Sequence, residues 1–241
     1  VVVKSPYHQW SSPVVQSLFG KIIDLKLKGY QAHYPDGILP IDTSDFISTH
    51  LTVCRRRGDD LIPLMGARFT TLAACRKHHI PFPALALVTR ARADRHTQVV
   101  QRIMDECDRD QRPLGYIGAW TVDPSIQANK ALKGHLRNLF IAGCYHYHCS
   151  EGISDILVGG TLRFNTENVF SFLGHVPISD DRQLPPIQVA HLQGEDVVVM
   201  YLHEFSEEAQ RFALQFQNQW DDRLEIAASP QTSGTLVRPT G

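Results

Sequence analysis

Asp42 and Asp45, two carboxylates three positions apart, are the side chains of this sequence best suited to moving a proton. A carboxylate beside an ammonium can accept its proton and leave a neutral amine free to attack an electrophilic carbon. Asp123 and His175 are the next candidates for such a base. A plainer reading stands beside the chemical one: Asp42 follows Pro40, where a turn residue is common, and Asp45 suits a helix or strand cap. Reactive groups also concentrate in Cys144-Tyr-His146-Tyr-His148-Cys149. Only Cys144 with His148, and His146 with Cys149, share a helical face there, and each pair would need two further ligands. No CxxC or HExxH spacing supplies them, and Cys75 with His78 and His79 fails on the same ground. The expectation is no metal, with these histidines exposed on a packed helix. Arg163-Phe164-Asn165 falls at the end of a predicted strand, where Asn165 equally suits a plain N-cap.

The elements that must position these groups follow from periodicity. Tyr116 to Val122 is an apolar, β-favouring run; Pro124-Ser125 then offers a helix start, and helical spacing continues through Leu132, Leu136, Leu139, Phe140, Gly143 and Tyr147. Glu151-Gly152 ends that helix. Ile153 to Leu162 reads as a second strand, and Asn165 to Leu173 as a short helix closed by Gly174. Two strands joined through a helix imply a right-handed crossover with a ligand crevice at the strand ends. Upstream, Val14 to Gly29 has helical spacing. Phe46 to Cys54 and Ile62 to Phe69 read as strands flanking the Arg55-Arg56-Arg57 turn. Thr71 to His79 reads as a helix, Pro83 to Thr89 as a strand, and Ala93 to Asp110 as an amphipathic helix. Asp196 to His203 then reads as a strand and Glu207 to Trp220 as a helix. Residues 1–228 are expected to form one domain and 229–241, rich in Ser, Gly and Pro, a mobile tail.

Composition excludes several function classes. With 241 residues, 43% hydrophobic and 9% aromatic, the chain can bury a sizeable core. Its formal net charge of −1 provides no global field toward nucleic acid or acidic membrane, and Arg55-Arg56-Arg57 abuts Gly58-Asp59-Asp60 as a mixed-charge hairpin tip. No apolar run approaches the roughly 20 residues of a membrane span. Nothing at the start resembles a signal peptide, and a start at Val1 leaves room for a segment upstream. Five cysteines without a disulfide-framework spacing suit a reducing cytoplasm.

The stretch Tyr116 to Pro177, ending Asn165-Thr-Glu-Asn-Val-Phe170-Ser-Phe-Leu-Gly174-His175, resembles the acyl-CoA-binding half of the GNAT superfamily of N-acyltransferases. It covers about a quarter of the chain. In the N-terminal half, Lys26-Leu-Lys-Gly-Tyr30, Ile41-Asp42-Thr-Ser-Asp45 and Met65-Gly66-Ala-Arg68 resemble, in that order, motifs of acyl-homoserine-lactone synthases and N-acyl amino acid synthases. The resemblance implies an α/β (α+β) fold, a GNAT-like mixed twisted sheet with helices on both faces and a splayed parallel strand pair. It implies transfer of an acyl group from acyl-CoA or an acyl-carrier protein to a small-molecule amine such as an amino acid, by direct attack on the thioester and without a prosthetic group.

Carried over residue by residue, Asp45, Asp42 and Arg68 fall in the catalytic cluster. Lys26 and Tyr30 match the basic and aromatic positions of the acceptor side, where Trp120 is also expected. Val122, Asn165 and Phe170 are expected on the donor side, with Lys130, Lys133, Gly134 and His135, whose helix-start amides and basic side chains would stand in for the glycine-rich loop missing here. An amine bearing its own carboxylate needs acids for the ammonium and an Arg fork for the oxygens. The thioester oxyanion would meet a backbone N–H near Trp120 to Val122. Three departures stand out. Tyr116-Ile-Gly-Ala-Trp120-Thr-Val122 lacks the Glu-x-x-Arg of the lactone synthases. Gln127-Ala-Asn-Lys130-Ala-Leu-Lys133-Gly134-His135 has one glycine where GNAT enzymes have a glycine-rich phosphate loop. Phe170 stands where many have a proton-donating tyrosine. These departures keep a non-catalytic acyl or CoA-binding module open as an alternative, and a small-acyl acetyltransferase is a second. Phe140, Phe164, Phe170 and Phe172 suit either an acyl tunnel or an ordinary core.

Overall fold

The computed structural model describes residues 1–34 and 37–227, so the expected tail 229–241 lies outside the described residues. In chain order the elements are β1 (Val2–Lys4), α1 (Pro13–Gln31), α2 (Ser44–Ile47), β2 (Thr49–Arg57), β3 (Asp60–Thr71), α3 (Leu72–Lys77), α4 (Pro83–Arg90), α5 (Asp94–Arg109) and β4 (Leu114–Val122). They continue with α6 (Lys130–Ser150), β5 (Asp155–Thr161), α7 (Thr166–Leu173), β6 (Val176–Pro177), β7 (Ile187–Val189), β8 (Glu195–Leu202), α8 (Glu207–Leu214), α9 (Gln217–Asp221) and β9 (Glu225–Ile226). Two compact units emerge: one from Val1–Phe69, Ala119–Cys144 and the stretch from Ala213, the other from Thr70–Gly118 and Tyr145–Phe212.

In the first unit, α1 begins where the Ser12 hydroxyl accepts the Val15 N–H and Pro13 takes the first helical position. Its buried face is Val15, Leu18, Phe19, Ile22, Leu25, Lys26 and Gly29, a three-and-four spacing that takes a lysine inward with the aliphatics. Val15, Leu18 and Ile22 pack with Val3 of β1 and Ile226 of β9. β1 lies between β2, which it meets antiparallel, and β9, which it meets parallel. These two short strands carry too few residues for a periodic signal and were not foreseen. β2 and β3 form a hairpin from Thr49↔Phe69 to Arg57↔Asp60, with a slip at Val53/Cys54 and Gly58 in the left-handed region at the tip. Gly29 permits the close seating of α1 on β4: a Cβ there would fall 2.2 Å from Thr121 Cγ2.

In the second unit, β4 and β5 are parallel neighbours, paired from Leu114↔Asp155 to Ile117↔Val158, with the sequence of α6 between them as the crossover. β8 runs antiparallel to β5 from Ile156↔Leu202 to Thr161↔Val197, and β6 and β7 each pair antiparallel with β8. A Cβ on Gly160 would approach Glu167 Cα at 2.8 Å, so glycine lets α7 lie directly on β5. The sheet is therefore mixed, with the neighbouring parallel strands that the GNAT resemblance implies.

Four expectations are corrected. The strand read from Phe46 starts at Thr49, because Phe46 and Ile47 belong to the short helix α2. The helix read from Pro124-Ser125 starts at Lys130, and Pro124–Ile126 form a separate 3-10 turn that Asp123 caps. Pro83–Arg90 is helical, not a strand: Pro83 occupies the first helical position, and Ala84, Leu87 and Val88 are buried at one-face helical spacing, while Ala and Leu favour a helix. The helix read from Glu207 to Trp220 is two, because Phe216 leaves helical geometry at φ −113°, ψ 17°.

Candidate functional site

Four charged side chains far apart in sequence meet in the first unit. Lys26 Nζ lies 2.5 Å from Asp45 Oδ1, and Asp45 Oδ2 accepts the Asp42 N–H at 2.9 Å and lies 3.2 Å from Arg68 Nη1. The same Nη1 donates to Asp42 Oδ1 at 2.8 Å. That oxygen also accepts the Ser44 N–H at 2.8 Å and the Ser44 hydroxyl, so the aspartate closes its own turn. Burial divides the group sharply: the side chains of Lys26, Asp45 and Arg68 are 4%, 0% and 8% exposed, whereas that of Asp42 is 58% exposed. Each sealed charge faces an opposite one, the condition under which charges are tolerated in an interior.

The electrostatics follow from the same geometry. Burial pulls the Lys26 ammonium below its usual range, and Asp45 offsets only part of that. Burial alone would raise Asp42, but the Arg68 charge and the hydrogen bonds from Ser44 outweigh it and hold the carboxyl below its usual value. Burial raises the Tyr30 phenol, which lies within the field of Arg68, Asp45 and Asp42 and tilts against Tyr34 at 5.9 Å. A cavity of about 10 Å³ adjoins the cluster, walled by Lys26, His50, Thr52, Arg68 and Thr121 among others, with room for about one water molecule. In the second unit, a larger depression of about 490 Å³ lies on the exposed face of α5 and is lined by that helix alone.

On β4, the pairing with β5 reaches Ile117, and Ala119 then adopts φ +54°, a left-handed backbone unusual for a residue with a Cβ. Past this kink the Asp123 N–H donates to Leu64 O of β3 at 2.8 Å. Trp120 is half-buried and stacks on Phe140 with ring centroids 5.0 Å apart; Val122 is half-buried beside it in sequence. Asp123, a candidate base, caps its own turn through the Ser125 N–H at 2.8 Å.

At the start of α6 the Asn129 side chain accepts the Leu132 N–H at 3.0 Å. Lys130 and His135 are exposed, Lys133 donates to Gln127 Oε1 at 2.7 Å, and a Cβ on Gly134 would meet open space. Asn165 and Phe170 belong to the second unit: Asn165 is exposed and left-handed at φ 52° with no side-chain cap bond, and Phe170 is buried against His175. His175, the other candidate base, bonds through Nδ1 to Phe170 O at 3.1 Å, and burial pushes its pKa down to about 3. It is neutral at physiological pH.

His146 and His148 are buried rather than exposed as expected, because the apolar face of α6 reaches Tyr147 and carries its neighbours inward. Among the described residues no three His, Cys, Asp or Glu side chains gather as a metal site, and no helix is long and apolar enough to cross a membrane. Three contributors escaped the sequence reading. His50 was legible in principle, since strand alternation sets it opposite Arg68. Ser44 was hidden in the Asp-x-x-Asp spacing, and the left-handed Ala119 leaves no sequence signal.

No protein-family model and no curated protein matches the chain. Similar solved structures include FeeM, an N-acyl amino acid synthase from uncultured soil microbes, at 12% identity over 86% of this chain and 93% of that one, with a TM-score of 0.43. BjaI, a CoA-dependent acyl-homoserine lactone synthase solved with SAM and isopentyl-CoA, is 11% identical over 88% and 87%, with a TM-score of 0.48. The polyamine N-acetyltransferase of Drosophila melanogaster is 14% identical over 84% and 99%, with a TM-score of 0.45. These are the classes that the sequence motifs resemble. At such identities and TM-scores they add no weight to any residue's role.

Proposed function

We propose that the protein is an N-acyltransferase that moves an acyl group from a CoA-type or carrier-protein thioester to a small-molecule amine. The observation that carries this reading is the meeting of Lys26, Asp42, Asp45 and Arg68, the four charged positions that the acceptor motifs single out. Asp42 is the open member of the four, and it receives the ammonium end of the acceptor. Arg68 grips Asp42 from behind, and Asp45 with Lys26 locks the turn from which Asp42 projects. Asp45 acts on the reaction through that turn, while Asp42 accepts or orders the amine proton. Kept ionised by Arg68, Asp42 is a weak base whose main contribution is orientation.

On the donor side, the reading has the thioester oxyanion meet a backbone N–H of the stretch Trp120 to Val122, which follows the left-handed Ala119. Lys130, Lys133 and Arg137 supply positive charge that a phosphate-bearing donor needs where glycines are lacking. The amine attacks the thioester carbon, the C–N bond forms, the C–S bond breaks, and the amine's proton leaves with the thiolate or through Asp42. The units together serve as one acyltransferase domain in this reading.

A mass-spectrometric screen tests it. Acyl-CoA and acyl-carrier donors of graded chain length are incubated with amino acids, their carboxyl-amides and polyamines. Amide products that disappear in Asp42→Asn support the assignment; loss of about 10- to 100-fold in kcat/KM for the amine is expected. Donor binding without product identifies the non-catalytic module, and products confined to acetyl donors identify the small-acyl acetyltransferase.

A further inference from the structure

His50 lies beneath the acceptor cluster and belongs to none of the motifs that single that cluster out. It is 1% exposed, and its Nε2 lies 2.7 Å from the main-chain carbonyl of Asp45. A carbonyl oxygen only accepts, so Nε2 must carry the hydrogen. The ring is fixed from the other side by Phe19, edge to face at 5.5 Å, and by its place opposite Arg68 in the β2–β3 ladder. We propose that His50, as the neutral Nε2–H tautomer, is a positioning residue that holds the Asp42–Asp45 turn in register with Lys26 and Arg68.

The need for such a prop follows from the turn itself. α2 is four residues long and has no side-chain cap, so it has little stability of its own. The bonds among Asp42, Ser44 and Asp45 are internal to the turn and cannot fix its position on the sheet. Outward anchors are the Asp45 carboxylate, the Arg68 bond to Asp42 at 2.8 Å, the His50 bond to the Asp45 carbonyl, Ser5, whose hydroxyl donates to Ile47 O at 3.1 Å, and Phe46, which packs on Trp10 and Phe19. Among the hydrogen bonds, His50 supplies the one to the Asp45 main chain. The charged groups facing His50 are Lys26 from α1, Asp45 from α2 and Arg68 from β3. Burial, aided by the two cations, outweighs Asp45 and lowers the imidazole pKa to about 4, so the ring stays neutral across the physiological range, and the bond to the Asp45 carbonyl selects its Nε2–H form. This assignment deepens the proposed acceptor site and rests on it for its catalytic consequence, though not for its structural one.

The experiment compares His50→Phe, which keeps a ring against Phe19 but has no donor, with His50→Gln, whose amide restores one at similar reach. Hydrogen exchange across residues 42–48 should quicken at least tenfold in His50→Phe and return near wild type in His50→Gln. The KM for the amine should rise about tenfold in His50→Phe, with the donor KM unchanged, and recover in His50→Gln. Equal behaviour of the two variants, or exchange in His50→Phe equal to wild type, overturns the proposal. If His50→Phe does not fold, nitrogen NMR of the wild-type imidazole decides: an Nε2–H tautomer at pH 7 supports the role and Nδ1–H ends it. A wild-type protein that acylates no amine defeats the proposed function while leaving the exchange and tautomer results to judge His50.

Discussion

Asp42 and Asp45 look alike in the sequence and differ in everything that matters chemically. Asp45 is enclosed, with Lys26 and Arg68 as counter-charges, so removing one partner strands a buried charge. Lys26→Met should therefore lower the unfolding free energy by about 3–5 kcal/mol, as such disruptions typically do, and Asp45→Asn should destabilise in the same direction. Denaturant unfolding at pH 7.5 checks both. An Asp45→Asn protein of unchanged stability that has lost turnover would instead make Asp45 the reacting group. For the exposed Asp42, Asp42→Asn should change stability by no more than about 1 kcal/mol while lowering amine turnover. The three-residue spacing and the charge types were legible as candidates. Which carboxylate faces solvent was not, because α1 and β3 approach the pair from 16 residues before Asp42 and 23 after Asp45.

Helices and strands were read with uneven success, and the reason is the length of their patterns. α1 and α5 carry several turns of periodic burial and were found near their true ends, and α6 was found at its C-terminal end, while the start read at Pro124-Ser125 falls on a separate turn ahead of Lys130. Pro83–Arg90 is only eight residues long, and a short apolar run does not distinguish a strand from a buried helix. The seating of α1 yields a sharp prediction: Gly29→Ala sets a methyl 2.2 Å from Thr121 Cγ2, a β-branched group on a strand with little freedom to move. Overpacking of this kind costs about 1–3 kcal/mol, and circular-dichroism melting should show the loss, with Thr121→Ser in the same chain restoring part of it. At α6, Lys130→Ala with Lys133→Ala should weaken CoA binding at least several-fold, more at low salt than at high, by calorimetric titration. Neutral variants that bind CoA as wild type remove the start of α6 as the donor site.

For the molecule as a whole, two buried histidines set the acid limit of stability. Burial holds His50 at about 4 and His175 at about 3, both below the ordinary value of 6.5. Below that ordinary value the unfolded chain takes up protons that the folded chain refuses, so stability falls as pH drops from about 6.5 toward 4. Each histidine contributes about 1.4 kcal/mol per pH unit over that span. Asp42, held low in the fold, adds a loss of the same sign as pH descends through the carboxylate range. Unfolding free energies measured between pH 7.5 and 4.5 should decline, and His50→Gln or His175→Gln should flatten the slope; a pH-independent protein would contradict the burial of both rings.

Taken alone, the sequence determined the mixed α/β class, the β4–α6–β5 order and the charged residues worth watching. These depend on local periodicity and residue type, which neighbours in the chain enforce. Only the tertiary structure decided that Lys26, Asp45 and Arg68 are sealed against one another, that Asp42 alone of the four opens outward, and that His50 supports their turn. Those outcomes depend on which surfaces long-range packing removes from water, and pairing between β2 and β3 or burial of one face of α1 leaves no mark on any single residue.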